Sequence, residues 1–454
     1  MEQGNSRKTE RRVRTLVTLI VGISRYLMIL LIMIYTYYSF RYYFMKEEAD
    51  QVRAVRRQTV CLFMLHFLAN LLIVLNTESP ALAAFYGAQA VFFLGYIYLY
   101  RLFYRKVSRV LVNHVCLFLM TGFVMLTRLN PEQAMRQFVI AVIAAAVTWI
   151  IPFVMDRVWQ LAKIPWIYGL FGLFLLILVC AAGNTAYGAQ LSLGWGGFSF
   201  QPSEFVKISY VFFIATMFYR STEFKSVAVT TAAAAAHVIV LVLSRDLGSA
   251  LIYFIAYLAM LFAATSNWLY AGTGAAGGIL AAVLAYGLFP HVRRRVAAWA
   301  DPWSDIADTG YQTAQALFAV GTGGWFGMGL YQGMPEKIPV VNKDFIFAAV
   351  CEELGGLYAL CLLAVCLCCF FQFVIIAMKM RAMFYKLIAF GLGTVYITQV
   401  FLTVGGAVKF IPSTGVTLPF VSYGGSSLLA SFALFNIIQG LYILKREEEA
   451  DEKG

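Results

Sequence analysis

Apolar residues in this chain come in long unbroken runs, without the strict alternation of half-buried strands. Runs of about 18–25 residues are long enough to cross a bilayer as helices. Thirteen occur, near 16–40, 59–76, 81–100, 110–127, 138–155, 165–182, 204–219, 227–244, 248–265, 268–289, 345–376, 386–407 and 426–444. The pattern predicts an all-α, polytopic membrane helix bundle. The first run is long and no small-residue cleavage site follows it, so it reads as a membrane helix and not as a secretory signal.

The polar stretches between the runs carry more information. Segment 183–202 has no charge and is rich in Gly and aromatic residues. Segment 290–343 is the one long polar connector, and within it 310–320 has the character of a short interfacial helix. Connectors of this length in compact proteins usually serve function. Segment 408–425 is a third connector, broken by Pro and Gly.

Lys and Arg concentrate in cytoplasmic loops of membrane proteins. Arg101, Arg105, Lys106 and Arg109 precede the fourth run. Arg157 and Lys163, then Arg220 and Lys225, then Lys379, Arg381 and Lys386 follow on alternate connectors, and Lys445 and Arg446 close the last run. Runs four to thirteen therefore form a ten-helix unit with both ends cytoplasmic, and the three special connectors meet on the outer face. The first three runs fit less well. Their odd count puts the N-terminus outside, whereas Arg7, Lys8, Arg11, Arg12 and Arg14 favour the inside, and the sequence leaves this open.

Composition agrees with a membrane protein. Hydrophobic residues make up 61 % of the 454 and charged residues 13 %, far from the soluble norm of about 25 % charged. The net charge of +12 is uneven, since residues 1–107 hold 14 Lys/Arg and 6 Asp/Glu. That places most of the excess in an N-terminal membrane extension and argues against nucleic acid as a partner. The organisation read from this is an extension at 1–107, a core at 108–446 with its long outer loop at 290–343, and an acidic cytoplasmic tail at 447–454. The eight cysteines lack metal-binding spacing and read as small apolar residues.

Charges at membrane depth cost roughly 2.5–3.5 kcal/mol on insertion scales, so each asks for a reason. Glu204 and Lys207 share one helix face at i, i+3, as a structural ion pair or a substrate contact. Pro202 suits the first turn of that helix, and Ser203 its N-cap. Arg245-Asp246 occupies a hairpin with almost no loop. A carboxylate held at such a mouth loses water, which raises its pKa toward that of a general base; a cap or a local pair with Arg245 is the alternative. Arg293, Arg294 and Arg295 open the long connector and suit a phosphate or pyrophosphate clamp, or a solvated face. Lys337, Lys343 and Lys409 add positive charge on the same side. Glu352 and Glu353 read as a buried hydrogen-bonded pair. The glycine run 321–329 lacks the Lys-Ser/Thr of a phosphate loop and reads as close backbone packing.

Several motifs match one family in order. They are Arg136-Gln137; Phe200-Gln201-Pro202-Ser203-Glu204 with Lys207; Asp246-Leu247-Gly248-Ser249; Arg293 and Arg295 before Asp301-Pro302; Gly310-Tyr311-Gln312 with Gln315; Gly323-Gly324; Asp344-Phe345 with Glu352-Glu353-Leu354-Gly355; and Pro412 through Ser427 with Pro419-Phe420 and Ser422-Tyr423-Gly424-Gly425-Ser426. On these the chain resembles the SEDS proteins of shape, elongation, division and sporulation, the family of FtsW, RodA and SpoVE. The resemblance implies a ten-helix peptidoglycan glycosyltransferase core behind about three added helices. It implies polymerisation of lipid II at the extracytoplasmic face of a bacterial cytoplasmic membrane, with undecaprenyl pyrophosphate leaving. Asp246 matches the family's catalytic aspartate. Substrate contacts are expected from Arg293, Arg295, Gln201, Ser203, Lys207, Gln312, Gln315, Lys409, Ser422 and Ser426, and a structural or ion-pair role from Glu204, Glu352 and Glu353. A divalent cation, Mg or Mn, is an expected cofactor with no residues assigned to it, and no organic cofactor is expected. The expected partner is a class B penicillin-binding protein. A lipid II flippase or a non-catalytic scaffold of the cell-wall machinery are the competing functions. The chain departs from the family where Pro339-Val340-Val341-Asn342-Lys343 replaces a stretch that carries Glu and His in many relatives. Thr414 stands where division-type members often have Lys.

Overall fold

The computed structural model describes residues 2–155, 157, 164–186, 189–195, 198–308 and 310–451. Lys163 and residues 452–454 lie outside them, as do the side chains of the basic cluster at residues 7–14. Among the described residues, thirteen helices of 18 residues or more stand where the apolar runs predict them. In order the helices are α1 (Glu2–Arg41), α2 (Glu48–Thr77), α3 (Pro80–Phe103), α4 (Arg109–Leu129), α5 (Pro131–Thr148), a single turn α6 (Ile151–Val154), α7 (Pro165–Ala182), α8 (Pro202–Arg220) and α9 (Phe224–Leu243). Then follow α10 (Leu247–Thr265), α11 (Trp268–Leu288), α12 (Pro290–Ala300), α13 (Tyr311–Gly323), α14 (Ile346–Leu354), α15 (Gly356–Lys379), α16 (Met383–Ala407) and α17 (Gly425–Asp451). Twelve are long and apolar enough to cross a membrane. The thirteenth, α8, falls below them in hydropathy because Glu204 and Lys207 lie within it.

The structure departs from the sequence expectation in three places. The connector 183–202 contains a small antiparallel sheet, β1 (Asn184–Ala186), β2 (Ala189–Trp195) and β3 (Phe198–Phe200), in that spatial order. The run at 345–376 is two helices. Gly355, at φ 97°, turns the chain between α14 and α15, a conformation that glycine adopts at little cost. The third departure is α12, a helix at the start of the long connector at 290–343, whereas α13 stands where the short helix at 310–320 is expected.

The glycine run after α13 lies backbone to backbone on this α14–α15 turn. Met328 and Gly329 donate to the carbonyls of Glu352 and Glu353, and Gly356 and Leu357 donate back to Gly324 and Trp325. A Cβ on Gly323 would stand 2.1 Å from the Cys351 carbonyl oxygen. Close packing, as expected, is the use of this run.

The extension is built into the bundle. α1 packs on α2 and α15, and α2 packs on α4. As a result α4, first helix of the ten-helix core, is buried through its whole apolar window. Its polar residues explain the fit. His114 Nδ1 shares a hydrogen bond of 2.9 Å with Tyr35 Oη of α1. Asn113 donates to the Val55 carbonyl and to Thr59 Oγ1 of α2 at 3.2 and 3.1 Å. Polar groups inside a bilayer must find such partners within the protein.

The direction of α1 answers the question the charges left open. Val21 lies beside Gly329 and Arg25 donates to the Gly327 carbonyl at 3.2 Å, at the end where the three special connectors gather. Tyr43, beyond its other end, donates to Gln372 of α15 at 3.1 Å. The N-terminus therefore lies at the connector end, as the helix count requires, and the basic N-terminal cluster does not reverse it.

Tyr35→Phe removes the partner of a buried histidine. It is expected to cost about 1 kcal/mol and to lower the thermal unfolding midpoint of the detergent-purified protein. An unchanged midpoint would show that the extension does not depend on this contact.

Candidate functional site

At the connector end the chain encloses a cavity of about 770 Å³, within the usual range for ligand sites. Its walls come from α5, α8, the α9–α10 turn, α12, α13 and the segment 406–427.

Asp246 sits on the α9–α10 turn. The turn wraps tightly: Asp246 N donates to the Leu241 carbonyl at 2.9 Å and Arg245 N to Val242 at 3.0 Å. Helix ends of this kind usually place glycine at the left-handed position. Here it is Arg245, at φ 63°, a conformation that costs a non-glycine residue roughly 1–2 kcal/mol. The strained residue also lines the cavity. Asp246 caps α10, with Oδ1 accepting from Ser249 N at 3.1 Å, while Oδ2 accepts from Ser203 Oγ at 3.2 Å. Its two readings, cap and cavity carboxylate, are thus both met by one side chain. Burial raises its pKa above the ordinary aspartate value, and the hydrogen bonds from Ser249 and Ser203 oppose the rise.

Gly248 lets the connector close over this turn. A Cβ there would stand 2.4 Å from Val416 Cγ2 and 2.9 Å from the Thr414 carbonyl oxygen. Gln137 ties the far end of the same connector, donating to the Ser422 carbonyl at 3.1 Å and accepting from Gly424 N at 3.2 Å. Its neighbour Arg136 faces the cavity.

The expected site residues divide into two groups. Asp246, Gln201, Arg295, Gln312, Ser426 and Glu204 line the cavity. Ser203 reaches it through Asp246, and Pro202 takes the first helical position while Ser203 is not the cap. The other expected contacts are turned elsewhere. Lys207 is buried and donates to Glu204 and Gln399, each at 2.7 Å, so it is an ion-pair residue that joins α8 to α16. Ser422 Oγ donates to the Lys343 carbonyl at 2.6 Å and accepts from Leu418 N at 2.9 Å; it stitches two connectors. Gln315 and Lys409 are not in the lining, and the Lys409 carbonyl instead accepts from Trp299 Nε1 at 3.1 Å. Arg293 is exposed and is not in the lining. The phase of α12 turns Arg294, Arg295, Ala298 and Trp299 inward, and the residue before that face falls outside it.

Glu352 and Glu353 are buried away from the cavity. Glu352 accepts from Met334 N at 2.9 Å and Glu353 from Arg128 Nε at 2.9 Å. They clasp the loop after α13 and are not paired with each other.

The sequence reading gave no role to Arg136 and Asp344, which line the cavity together with Arg245, Arg294 and Lys343. Arg136 and Asp344 sat within quoted motifs, and that was the available signal. Burial raises Asp344 to about 6, against the opposing charges of Lys343 and Arg295. No three carboxylate, imidazole or thiol groups converge to hold a metal ion among the described residues. The divalent cation that the resemblance implies is assigned to none of these residues, and the cavity's positive charge is supplied by Arg and Lys.

A carboxylate with raised pKa favours its protonated form in the folded state, so ionising it costs stability as pH rises. Asp344→Asn is expected to be more stable than the parent above pH 6. The gap should close as pH falls through the interval from about 6 to 3.8, the ordinary aspartate value. Thermal midpoints measured across this range check it, and a pH-independent gap would contradict it.

Known proteins share this architecture. Residues 109–447 match the model of the family described as cell cycle protein, that of FtsW, RodA and SpoVE. The peptidoglycan glycosyltransferase RodA of Mycobacterium bovis is 37 % identical over 335 residues, covering 68 % of this chain and 70 % of that one. The probable peptidoglycan glycosyltransferase FtsW of Saccharophagus degradans is 34 % identical over 282 residues, covering 59 % and 72 %. A solved structure described as structural coordination of polymerization and crosslinking by a peptidoglycan synthase complex aligns with TM-score 0.65 and 25 % identity, over 75 % of this chain and 98 % of that one. The rod shape determining protein RodA of Thermus thermophilus, at 23 % identity and TM-score 0.56, over 75 % of this chain and 97 % of that one, shows the same fold. The extension before residue 109 lies outside the family match.

Proposed function

The chain belongs to the FtsW, RodA and SpoVE family of cell cycle proteins, and we propose that it is a peptidoglycan glycosyltransferase that polymerises lipid II. The observation that carries this is Asp246, a buried carboxylate at the wall of a cavity otherwise rich in arginine. Relatives named for the same activity support it.

The reaction follows from the groups present. The acceptor sugar's 4-hydroxyl attacks the anomeric carbon of the donor sugar. Asp246 takes the hydroxyl proton as general base, and Ser203 and Ser249 hold the carboxylate in place. A C–O bond forms, the C–O bond to the pyrophosphate breaks, and undecaprenyl pyrophosphate leaves with the electron pair. One displacement inverts an α-linked donor to a β-1,4 product. Negative charge grows on the pyrophosphate, and Arg136, Arg245 and Arg294, at the cavity wall, provide the countercharge.

A substrate with a polyprenyl tail reaches this cavity from the bilayer, which accounts for a catalyst made of membrane helices. The connector end is then the extracytoplasmic face of a bacterial cytoplasmic membrane. A class B penicillin-binding protein is the proposed partner, supported by the similar complex, in which polymerisation and crosslinking are coordinated.

Purified protein with its partner should form glycan strands from fluorescent lipid II. Asp246→Asn is expected to lower the rate by roughly 100-fold or more, the usual worth of a general base. Normal polymerisation by this variant would overturn the assignment. Arg294→Ala should slow the reaction by roughly tenfold or more, and Arg293→Ala by less than about threefold. Equal effects would contradict the inward face assigned to α12.

A further inference from the structure

Asp344 has no task in the displacement described above. It lies between α13 and α14, lines the cavity, and receives no hydrogen bond from any described residue. Segment 342–344 is itself fixed, because Tyr423 N donates to the Asn342 carbonyl at 2.8 Å and Ser422 Oγ to that of Lys343. The carboxylate is therefore held in place and left without a donor.

Arg295 lines the same cavity. Arg295 Nη1 donates to the Ser413 carbonyl at 3.1 Å, which fixes the guanidinium plane. Near both groups is Gly415, at φ 78°. A Cβ there would stand 3.7 Å from Asp344 Oδ2 and 3.8 Å from Arg295 Nη2. Acceptor and donor thus border the same stretch of cavity wall. The left-handed backbone of Gly415 would strain any other residue there.

This part of the cavity is chemically asymmetric. A phosphate or carboxylate entering it would meet the charge of Asp344 as well as that of Arg295, so the site is poorly suited to an anion. A trans secondary amide is different. Its N–H and C=O point in opposite directions, one suited to the carboxylate and the other to the guanidinium. The N–H also supplies the half-buried carboxylate with a donor, and a hydrogen bond to a charged group is among the stronger ones.

We propose that Asp344 and Arg295, both beside Gly415 in the cavity wall, form a subsite that grips a secondary amide of the substrate. Asp344 accepts from the amide N–H and Arg295 donates to the amide carbonyl. The inference rests on the glycosyltransferase reading, which provides two sources of such an amide: the acetamido group of an amino sugar, and the peptide carried by the lipid-linked disaccharide. It also takes Arg295 away from the pyrophosphate and leaves that charge to the other cavity arginines.

Binding to the full-length Asp246→Asn protein in detergent separates recognition from turnover. The probes are lipid II, lipid II with an O-acetyl ester in place of an acetamido group on either sugar, and the lipid-linked disaccharide without its peptide. The ester keeps the carbonyl and loses the N–H. One ester is expected to bind about tenfold more weakly than lipid II, the order expected for a hydrogen bond to a charged group. Adding Asp344→Ala should shrink that penalty to less than about threefold, while Asp344→Asn, which still accepts, should keep part of it. A penalty confined to the peptide-free probe, and removed by Asp344→Ala, supports the subsite and places the amide in the peptide. Equal binding of all probes, or a penalty that survives Asp344→Ala, overturns the subsite while the enzymatic reading stands. If Asp344→Ala does not fold, the probe comparison on Asp246→Asn alone still overturns the subsite when affinities are equal. Failure of the wild-type protein to polymerise lipid II, together with no binding of any probe, would overturn the substrate assignment and the subsite with it.

Discussion

Taking an ionised group out of water costs several kcal/mol unless partners replace the water, and that constraint sorts the charges of this protein. Lys207 is held between Glu204 and Gln399. Arg128 is held by Glu353, Glu336 and the Gly333 carbonyl. These charges satisfy one another and fix helices and loops. A second set gathers at one cavity: Asp246 and Asp344 with Arg136, Arg294 and Arg295. There the charges face an interior that a polar headgroup can enter. The division between charges spent on structure and charges left facing space is what locates the site.

Much of the architecture was legible because a bilayer allows few solutions. Backbone groups in hydrocarbon must bond internally, so long apolar runs become helices, and the thirteen runs did. The charged turn at Arg245-Asp246 stood out for the same reason: a carboxylate between two membrane helices is expensive. The i, i+3 spacing of Glu204 and Lys207 gave their ion pair. What stayed hidden was set by rotation and long-range contact. Three consecutive arginines do not reveal which of them a helix turns inward, and Arg294 had no signal beyond its neighbours. Ser422 and Lys207 lie in or beside recognisable motifs, yet tertiary bonds consume their polar atoms. A motif residue is as often a tether as a ligand, and only the partner list separates the two. The break at Gly355 was hidden inside an apolar run because its cause, the glycine loop lying on it, comes from elsewhere in the chain.

The tethers explain how irregular connectors hold a site at all. The segment 406–427 has little regular structure, but Gln137, Gln399, Ser422 and Ser426 each bind its backbone or that of a neighbour. Gly248 allows it to rest on the first turn of α10. The left-handed Arg245 stores strain in the same place, as residues at functional sites often do. The extension contributes from a distance. It covers α4 with polar contacts and touches the glycine loop at Gly327 and Gly329, so it shares one continuous core with the catalytic helices.

The most direct test of the central claim, that Asp246 deprotonates the acceptor sugar in this cavity, is a structure of the protein with lipid II bound in both donor and acceptor sites. The expected result places the acceptor 4-hydroxyl within about 2.6–3.2 Å of the Asp246 carboxylate, the reach of a general base. The pyrophosphate should then lie against the arginines and the polyprenyl tails should run out between the helices. A headgroup bound elsewhere on the bundle, with Asp246 turned away from both sugars, would contradict it.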